Sequence, residues 1–81
     1  MGEQIRLSEL KPGHTGEISQ IAMEGSKKRR LLDLGFTEGT KIKCIGESIF
    51  KSPRAYALRG TVIALRTADA GDIYVKVEET V

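Results

Sequence analysis

The chain has 81 residues, of which 40% are hydrophobic and 5% are aromatic, and it contains no tryptophan. A chain of this length forms one small domain, and branched aliphatic side chains must supply most of its core. Thirteen basic residues against eleven acidic residues give a net charge of +2, which is too small to indicate a nucleic-acid partner by itself.

Cysteine content and hydropathy exclude two further classes of protein. The single cysteine rules out an internal disulfide bond and is consistent with a reducing compartment. No apolar run approaches the roughly 18 residues of a transmembrane helix, and residues 1–10 lack the basic head and apolar segment of a secretion signal. We therefore expect one small, soluble, cytoplasmic domain over residues 1–81, with its core in residues 7–77.

The first predicted element is an apolar lead-in followed by a turn. The apolar residues of the lead-in are Ile5, Leu7 and Leu10. This lead-in is expected to include a single turn around Ser8. Residues 11–14 then place proline and glycine at the second and third positions of a type II turn.

Residues 15–23 predict the first strand. Ile18 and Ile21 are both apolar, yet strict alternation would put them on opposite faces of a regular strand. This mismatch favours a β-bulge, or a strand that leaves the sheet near Gln20.

Residues 26–40 predict a short helix, a defined stop and a turn into the next strand. On a helical wheel Leu31, Leu32 and Leu34 share one apolar arc, and Ser26 can cap the helix N-terminus. Isolated helices shorter than about 12–15 residues are marginal in water. We therefore expect Leu31 and Leu34 to be core residues that pack the helix across one end of a barrel.

The predicted helix stop depends on one glycine. Gly35 follows the apolar arc at a point where the chain needs a left-handed residue, and glycine takes a positive φ without steric cost. With Gly35 as C′, Phe36 is C″ and Leu31 is C3, the pair that makes the hydrophobic contact of a Schellman motif.

Four more segments complete the predicted fold. Residues 40–48 form a half-buried strand, with Ile42 and Cys44 on its apolar face. Residues 47–54 form a loop. Strands are also predicted over 55–59, 61–65 and 73–77, with the first two meeting at Gly60 and a 3₁₀ turn over 67–72. The fold class is mainly β, about five strands curled into a small barrel with one short helix inserted after the first strand.

The sequence offers little chemistry for catalysis or metal binding. His14 has no identifiable nucleophile or carboxylate partner, and Cys44 lies on the apolar face of a strand, as buried structural thiols do. One histidine and one cysteine cannot complete the three- or four-ligand site that zinc requires within one chain. We expect no catalytic residue, no cofactor and no metal ligand. A weak metal site, or one shared between chains, is the remaining alternative.

A run of four cations stands at the start of the predicted helix: Lys27, Lys28, Arg29 and Arg30. Cations there oppose the helix macrodipole, each at a cost of about 0.3–1 kcal/mol at an exposed site. One interpretation is an ordinary solvated face. The sharper one is a surface that meets an acidic protein or anionic lipid head groups.

Two dense blocks of the chain resemble a known family. Residues 29–36 (RRLLDLGF) with 38–40 (EGT), and residues 59–66 (RGTVIALR), are similar to the FeoA family of ferrous-iron transport accessory proteins. The likeness extends from Leu7 to Val77. It implies an SH3-like β-barrel without enzymatic activity that docks on and modulates FeoB, the membrane ferrous-iron transporter with a GTP-binding cytosolic domain.

The resemblance also indicates where the chain departs from its family. Members often carry Pro-x-Gly-Asp-Pro between the second and third predicted strands, whereas residues 49–53 (IFKSP) keep only the last proline. The hypothesis for the docking surface combines the basic run with the apolar residues of this loop. Its residues are Lys27, Lys28, Arg29, Arg30, Ile49 and Phe50. Proximity to the membrane surface and weak self-association are compatible with it.

Two other functions compete with this interpretation. Small basic barrels bind RNA, but base stacking needs aromatic side chains. The chain has only four, and Phe36 is assigned to the helix stop. We therefore expect no nucleic-acid partner. The other alternative is a stand-alone relative of the C-terminal domain of iron-dependent repressors, although no helix-turn-helix precedes it here.

Overall fold

The computed structural model of the protein describes residues 3–47 and 53–78. Within these residues, six strands form one antiparallel sheet in the order β1-β6-β2-β3-β4-β5. The strands are β1 (Gln4–Arg6), β2 (Thr15–Ile21), β3 (Lys41–Glu47), β4 (Arg54–Leu58), β5 (Thr61–Leu65) and β6 (Ile73–Val77). The helices are α1 (Gly25–Asp33) and α2 (Thr67–Ala70), and a 3₁₀ turn covers Leu7–Glu9.

The predicted mainly-β class is confirmed, with three local differences. The lead-in contains a strand of its own, β1, which places Gln4 opposite Lys76 of β6. The main helix therefore follows the second strand rather than the first. The segment before β6 is one turn of α-helix instead of a 3₁₀ turn, because the Gly71 N–H donates to the Thr67 carbonyl four residues earlier.

The irregularity predicted in β2 is confirmed as a register shift. The pairing of β2 with β6 slips between Ile18 and Gln20, so that two residues on β2 face one on β6. This extra residue restores the phase of the strand. Ile18 and Ile21 are consequently both buried on the same side.

The core lies inside the curled sheet and combines aliphatic side chains with two aromatic ones, Phe36 and Tyr56. Its fully buried members include Leu7, Leu10, Ile18, Phe36, Ile42, Cys44, Tyr56, Ile73 and Val75. The half-buried pattern predicted for β3 is confirmed, since Ile42 and Cys44 are buried while Lys41 and Lys43 are exposed.

Side-chain hydrogen bonds join the lead-in to β4 across the open side of the sheet. Arg54 Nη1 donates to the Ser8 carbonyl at 2.6 Å and to the Leu10 carbonyl at 3.2 Å. Tyr56 Oη donates to the Leu7 carbonyl at 3.4 Å. The three carbonyl oxygens that accept these bonds take part in no strand pairing, so the side chains of β4 satisfy them. The bonds also hold the curled sheet in the shape of a small barrel.

The predicted stop of α1 is confirmed in detail. Gly35 has φ of 103°, the left-handed region that favours glycine. The Phe36 N–H donates to the Leu31 carbonyl at 2.9 Å, and the Gly35 N–H donates to the Leu32 carbonyl at 3.0 Å. These are the two bonds of a Schellman motif, and Phe36 is fully buried beside them.

The N-terminus of α1 differs from the prediction. The helix begins at Gly25, so Ser26 lies in its first turn and Glu24 takes the N-cap position. Glu24 makes no side-chain capping hydrogen bond. Its negative charge near the helix N-terminus is therefore the favourable contribution that remains.

Candidate functional site

A surface groove of about 490 Å³ lies between α1 and β5. The wall formed by α1 consists of Lys27, Arg30, Leu31 and Leu34. The opposite wall consists of Ile63, Ala64, Leu65 and Arg66. Met23, Pro53 and Asp69 complete the lining. Of these lining residues Met23, Leu31 and Leu65 are buried and form the floor, whereas the exposed Lys27, Arg30 and Arg66 form the rim.

The α1 wall is a single helix face. Counted from Lys27, the next three residues of this wall follow after three, four and seven positions: Arg30, Leu31 and Leu34. This spacing aligns side chains on one side of a helix. Leu31 is 6% exposed and belongs to the hydrophobic core. It forms the floor of the groove.

The prediction that Leu34 is a core residue is wrong. Leu34 shares the helix face of Leu31, but it is 41% exposed because it stands at the C-cap of α1, on the groove wall. No element of residues 3–47 or 53–78 covers it there. Leu32 is equally exposed, so Leu31 is the one leucine of the predicted arc that the fold buries.

The basic run is exposed throughout, as expected of a docking surface. The helix divides it, however. Lys27 and Arg30 line the groove. Lys28 and Arg29 do not line it, because each successive residue of an α-helix is rotated by about 100° and these two point to another side of α1. The four cations therefore form two adjacent faces rather than one patch.

The other predicted docking residues, Ile49 and Phe50, lie outside the residues that the structure describes. Pro53, the first described residue after them, lines the groove.

Sequence reasoning missed the β5 side of the groove. Arg66 adds a third cation to the rim, and Asp69 adds a carboxylate to the lining. No local sequence signal identifies these two residues. They come to lie opposite α1 because the fold brings β5 and the segment after it, which are distant from α1 in sequence, to this side of the molecule. The hairpin between β4 and β5 also lies close to the end of α1, since a Cβ added at Gly35, just after the helix, would lie 3.3 Å from Cδ of Arg59. A cation there is favourable, because it stands beside the C-terminus of the helix.

The remaining candidates for chemistry lie elsewhere. Cys44 is buried, as predicted, and its N–H donates to the carbonyl of the exposed His14. Within the described residues there is no cluster of three or more histidine, cysteine, aspartate or glutamate residues able to hold a metal ion. The same residues contain no helix that is long and apolar enough to cross a membrane.

A family model covers most of the chain. Residues 5–77 match the family model described as the FeoA domain. The Fe(2+) transport protein A/Fe(2+) transporter FeoB fusion protein of Porphyromonas gingivalis is 31% identical over 72 residues. These residues make up 89% of this chain and 8% of that protein, so the chain spans a small part of the length of this relative.

Solved structures agree with the fold. The FeoA-like protein of Clostridium acetobutylicum superposes with a TM-score of 0.86 at 31% identity, covering 99% of this chain and 93% of that one. The FeoA of Stenotrophomonas maltophilia, solved with zinc and described as a prokaryotic SH3 domain protein, gives a TM-score of 0.74 at 24% identity. That match covers 91% of this chain and 89% of that one. The SH3-like fold class is thereby confirmed.

Proposed function

Because this chain belongs to the FeoA family, we propose that it is a cytoplasmic accessory protein that docks on the cytosolic domain of a FeoB-type ferrous-iron transporter and modulates it. The family is one of small transport-associated proteins and not of enzymes. The observation that carries the proposal is the Porphyromonas gingivalis relative, in which transport protein A and the FeoB transporter form one polypeptide. Two domains joined in this way act on the same process.

The basic face of α1 is our candidate for the docking surface. Lys27 and Lys28 lie in the first turn of a helix whose N-cap makes no side-chain hydrogen bond, where cations lower helix stability. Arg30 lies in the last turn, where a cation is favourable. Among the described residues, no carboxylate lies within ion-pair distance of the four cations of α1. The salt bridge found in that part of the chain joins two other residues, Lys41 and Glu78. Helix stability therefore does not explain Lys27 and Lys28, whereas an acidic partner surface does.

Reversing two of these charges should weaken docking in a salt-dependent way. For Lys27→Glu with Lys28→Glu, we expect association with the isolated cytosolic domain of the transporter to slow about tenfold or more at low salt. The defect should nearly vanish at 1 M salt, where the Debye length is about 3 Å. Association rates measured by surface plasmon resonance at several salt concentrations test this.

The matched control is Lys11→Glu with Lys43→Glu, which changes the net charge equally at exposed positions outside α1. Lys41 is unsuitable as a control site. Its Nζ lies 2.9 Å from Glu78 Oε1, and this hydrogen bond, with the attraction between the charges, raises the pKa of Lys41 above 10.5. If the α1 variant associates as fast as wild type at low salt, the run is an ordinary solvated face. No lipid is present in the assay, so a selective loss assigns the contact to protein.

We further propose that the monomer has no tight metal site of its own. One histidine and one cysteine, the latter buried, leave carboxylates as the available ligands, and such sites bind Fe²⁺ weakly. Calorimetric titration of monomeric protein with Fe²⁺ or Zn²⁺ should therefore give no one-to-one binding of submicromolar affinity. Tight binding in the monomer would contradict this, whereas binding that appears only in a dimer would indicate a site shared through His14.

A further inference from the structure

We propose that the groove between α1 and β5 receives an extended, acidic segment of the partner protein, which pairs with β5 as an additional strand. This inference rests on the proposed function for the identity of the partner, the transporter. The mode of binding follows from the groove itself.

The first observation is that β5 is an edge strand. It ends the sheet order and pairs with β4 alone among the strands that the structure describes. Its sequence, TVIAL, has high β-propensity and no charge. Edge strands of this kind are normally shielded by charges, bulges or a covering element. Among the described elements, α1 faces β5 across the groove and does not pair with its backbone.

The second observation is the direction of the peptide groups of β5. Arg59 and Gly60 both have positive φ and form a two-residue hairpin turn, so Leu58 and Thr61 are a hydrogen-bonded pair. Such pairs alternate along an antiparallel ladder. The N–H and C=O groups of Val62 and Ala64 therefore point away from β4, where an added strand can reach them.

The third observation is the composition of the groove. Leu31 and Leu65 are buried in the lining of the groove, and Leu34, which also lines it, is exposed. Alternate side chains of a strand point to the same face. A segment with an apolar residue at every second position can therefore place those side chains on the floor while its backbone pairs with β5.

Charge selects the occupant. Lys27, Arg30 and Arg66 line the groove against one carboxylate, Asp69. A second copy of this chain could pair with β5 through its own β5. Its Arg59 and Arg66, which flank that strand, and the cations of its α1 would then lie beside the cations of the first copy. Such like-charge contacts are unfavourable. An acidic segment instead complements the rim.

The test uses the full chain labelled with ¹⁵N and overlapping 12-residue peptides that cover the cytosolic domain of the transporter. We expect an acidic peptide with alternating apolar residues to shift the amide resonances of Val62 and Ala64 and to slow their hydrogen exchange. Two N-methylated forms of that peptide, with the methyl groups on alternate residues, serve as matched probes. One form should bind at least tenfold more weakly, because it loses the N–H groups that face β5, and the other should bind as the parent does.

A charge variant adds a second readout. Arg66→Glu should weaken binding of the acidic peptide at low salt, whereas Lys43→Glu should leave it unchanged. Equal binding by the two methylated peptides would overturn strand pairing. Changes in the amide resonances of β5 when the protein alone is concentrated would also overturn the proposal, because a second copy of the chain would then occupy the edge. If the folded cytosolic domain binds but no peptide perturbs Val62 and Ala64, this inference fails and the proposed function stands. If neither binds, both fail.

Discussion

Replacing Leu31 with alanine is expected to lower the free energy of unfolding by about 2–5 kcal/mol. Leu31 is the buried residue of α1 and joins the helix to the hydrophobic core. Its truncation leaves a cavity between α1 and the sheet, and a nine-residue helix cannot persist without that contact. The loss is large for a domain of this size. Urea denaturation followed by circular dichroism measures it.

Leu34→Ala is the matched control, because it removes the same side-chain atoms at the C-cap of α1, three residues further along the chain. Leu34 is 41% exposed, so we expect a smaller loss, of about 1–2 kcal/mol. Equal losses in the two variants would contradict the assignment of Leu31 to the core and of Leu34 to the groove wall.

Replacing Phe36 with alanine is expected to cost about 3–5 kcal/mol. Phe36 is fully buried and is the C″ residue of the Schellman motif. The variant therefore loses core packing. It also loses the hydrophobic contact between the C″ and C3 residues, Phe36 and Leu31, that accompanies the Schellman motif. For a domain of this size each kcal/mol corresponds to a change of about 4–8 °C in Tm, so calorimetry should show a decrease of more than about 12 °C.

Val62→Ala is a suitable comparison for Phe36→Ala, since Val62 is 61% exposed on β5 and stands outside the core. Its Tm should remain within a few degrees of the wild-type value, in line with other surface substitutions. If Phe36→Ala behaved in the same way, Phe36 would not hold α1 to the sheet.

Features set by a few neighbouring residues could be predicted from the sequence. The stop of α1 was one, because Gly35 and Phe36 fall at fixed positions after the leucines and the motif needs nothing else. The bulge in β2 was another, since the spacing of Ile18 and Ile21 conflicts with regular alternation. Both signals are local and chemically specific.

Features that depend on strand order could not be predicted in the same way. Leu34 has the spacing of a core residue, and its exposure follows from an edge strand distant in sequence that leaves the groove open. The strand β1 has three residues, too few to show alternation, and exists through its pairing with β6.

The candidate site was predicted in part. The cations of α1 are exposed as expected, but the turn of the helix assigns Lys27 and Arg30 to the groove and Lys28 and Arg29 to the adjacent face. Arg66 was missed because it reaches the groove from the end of β5. The part of the prediction that concerns Ile49 and Phe50 stays a prediction, since these residues lie outside those described.

The pairing of β1 with β6 bears on how this domain can be tethered to another. Gln4 and Lys76 are opposite each other in the ladder, so their Cα atoms are separated by about 5 Å. A linker attached before β1 and one attached after β6 thus leave the domain from nearly the same point. With a short flexible linker, covalent attachment produces an effective concentration in the millimolar range. For this fold, that gain is available whichever domain comes first in the polypeptide.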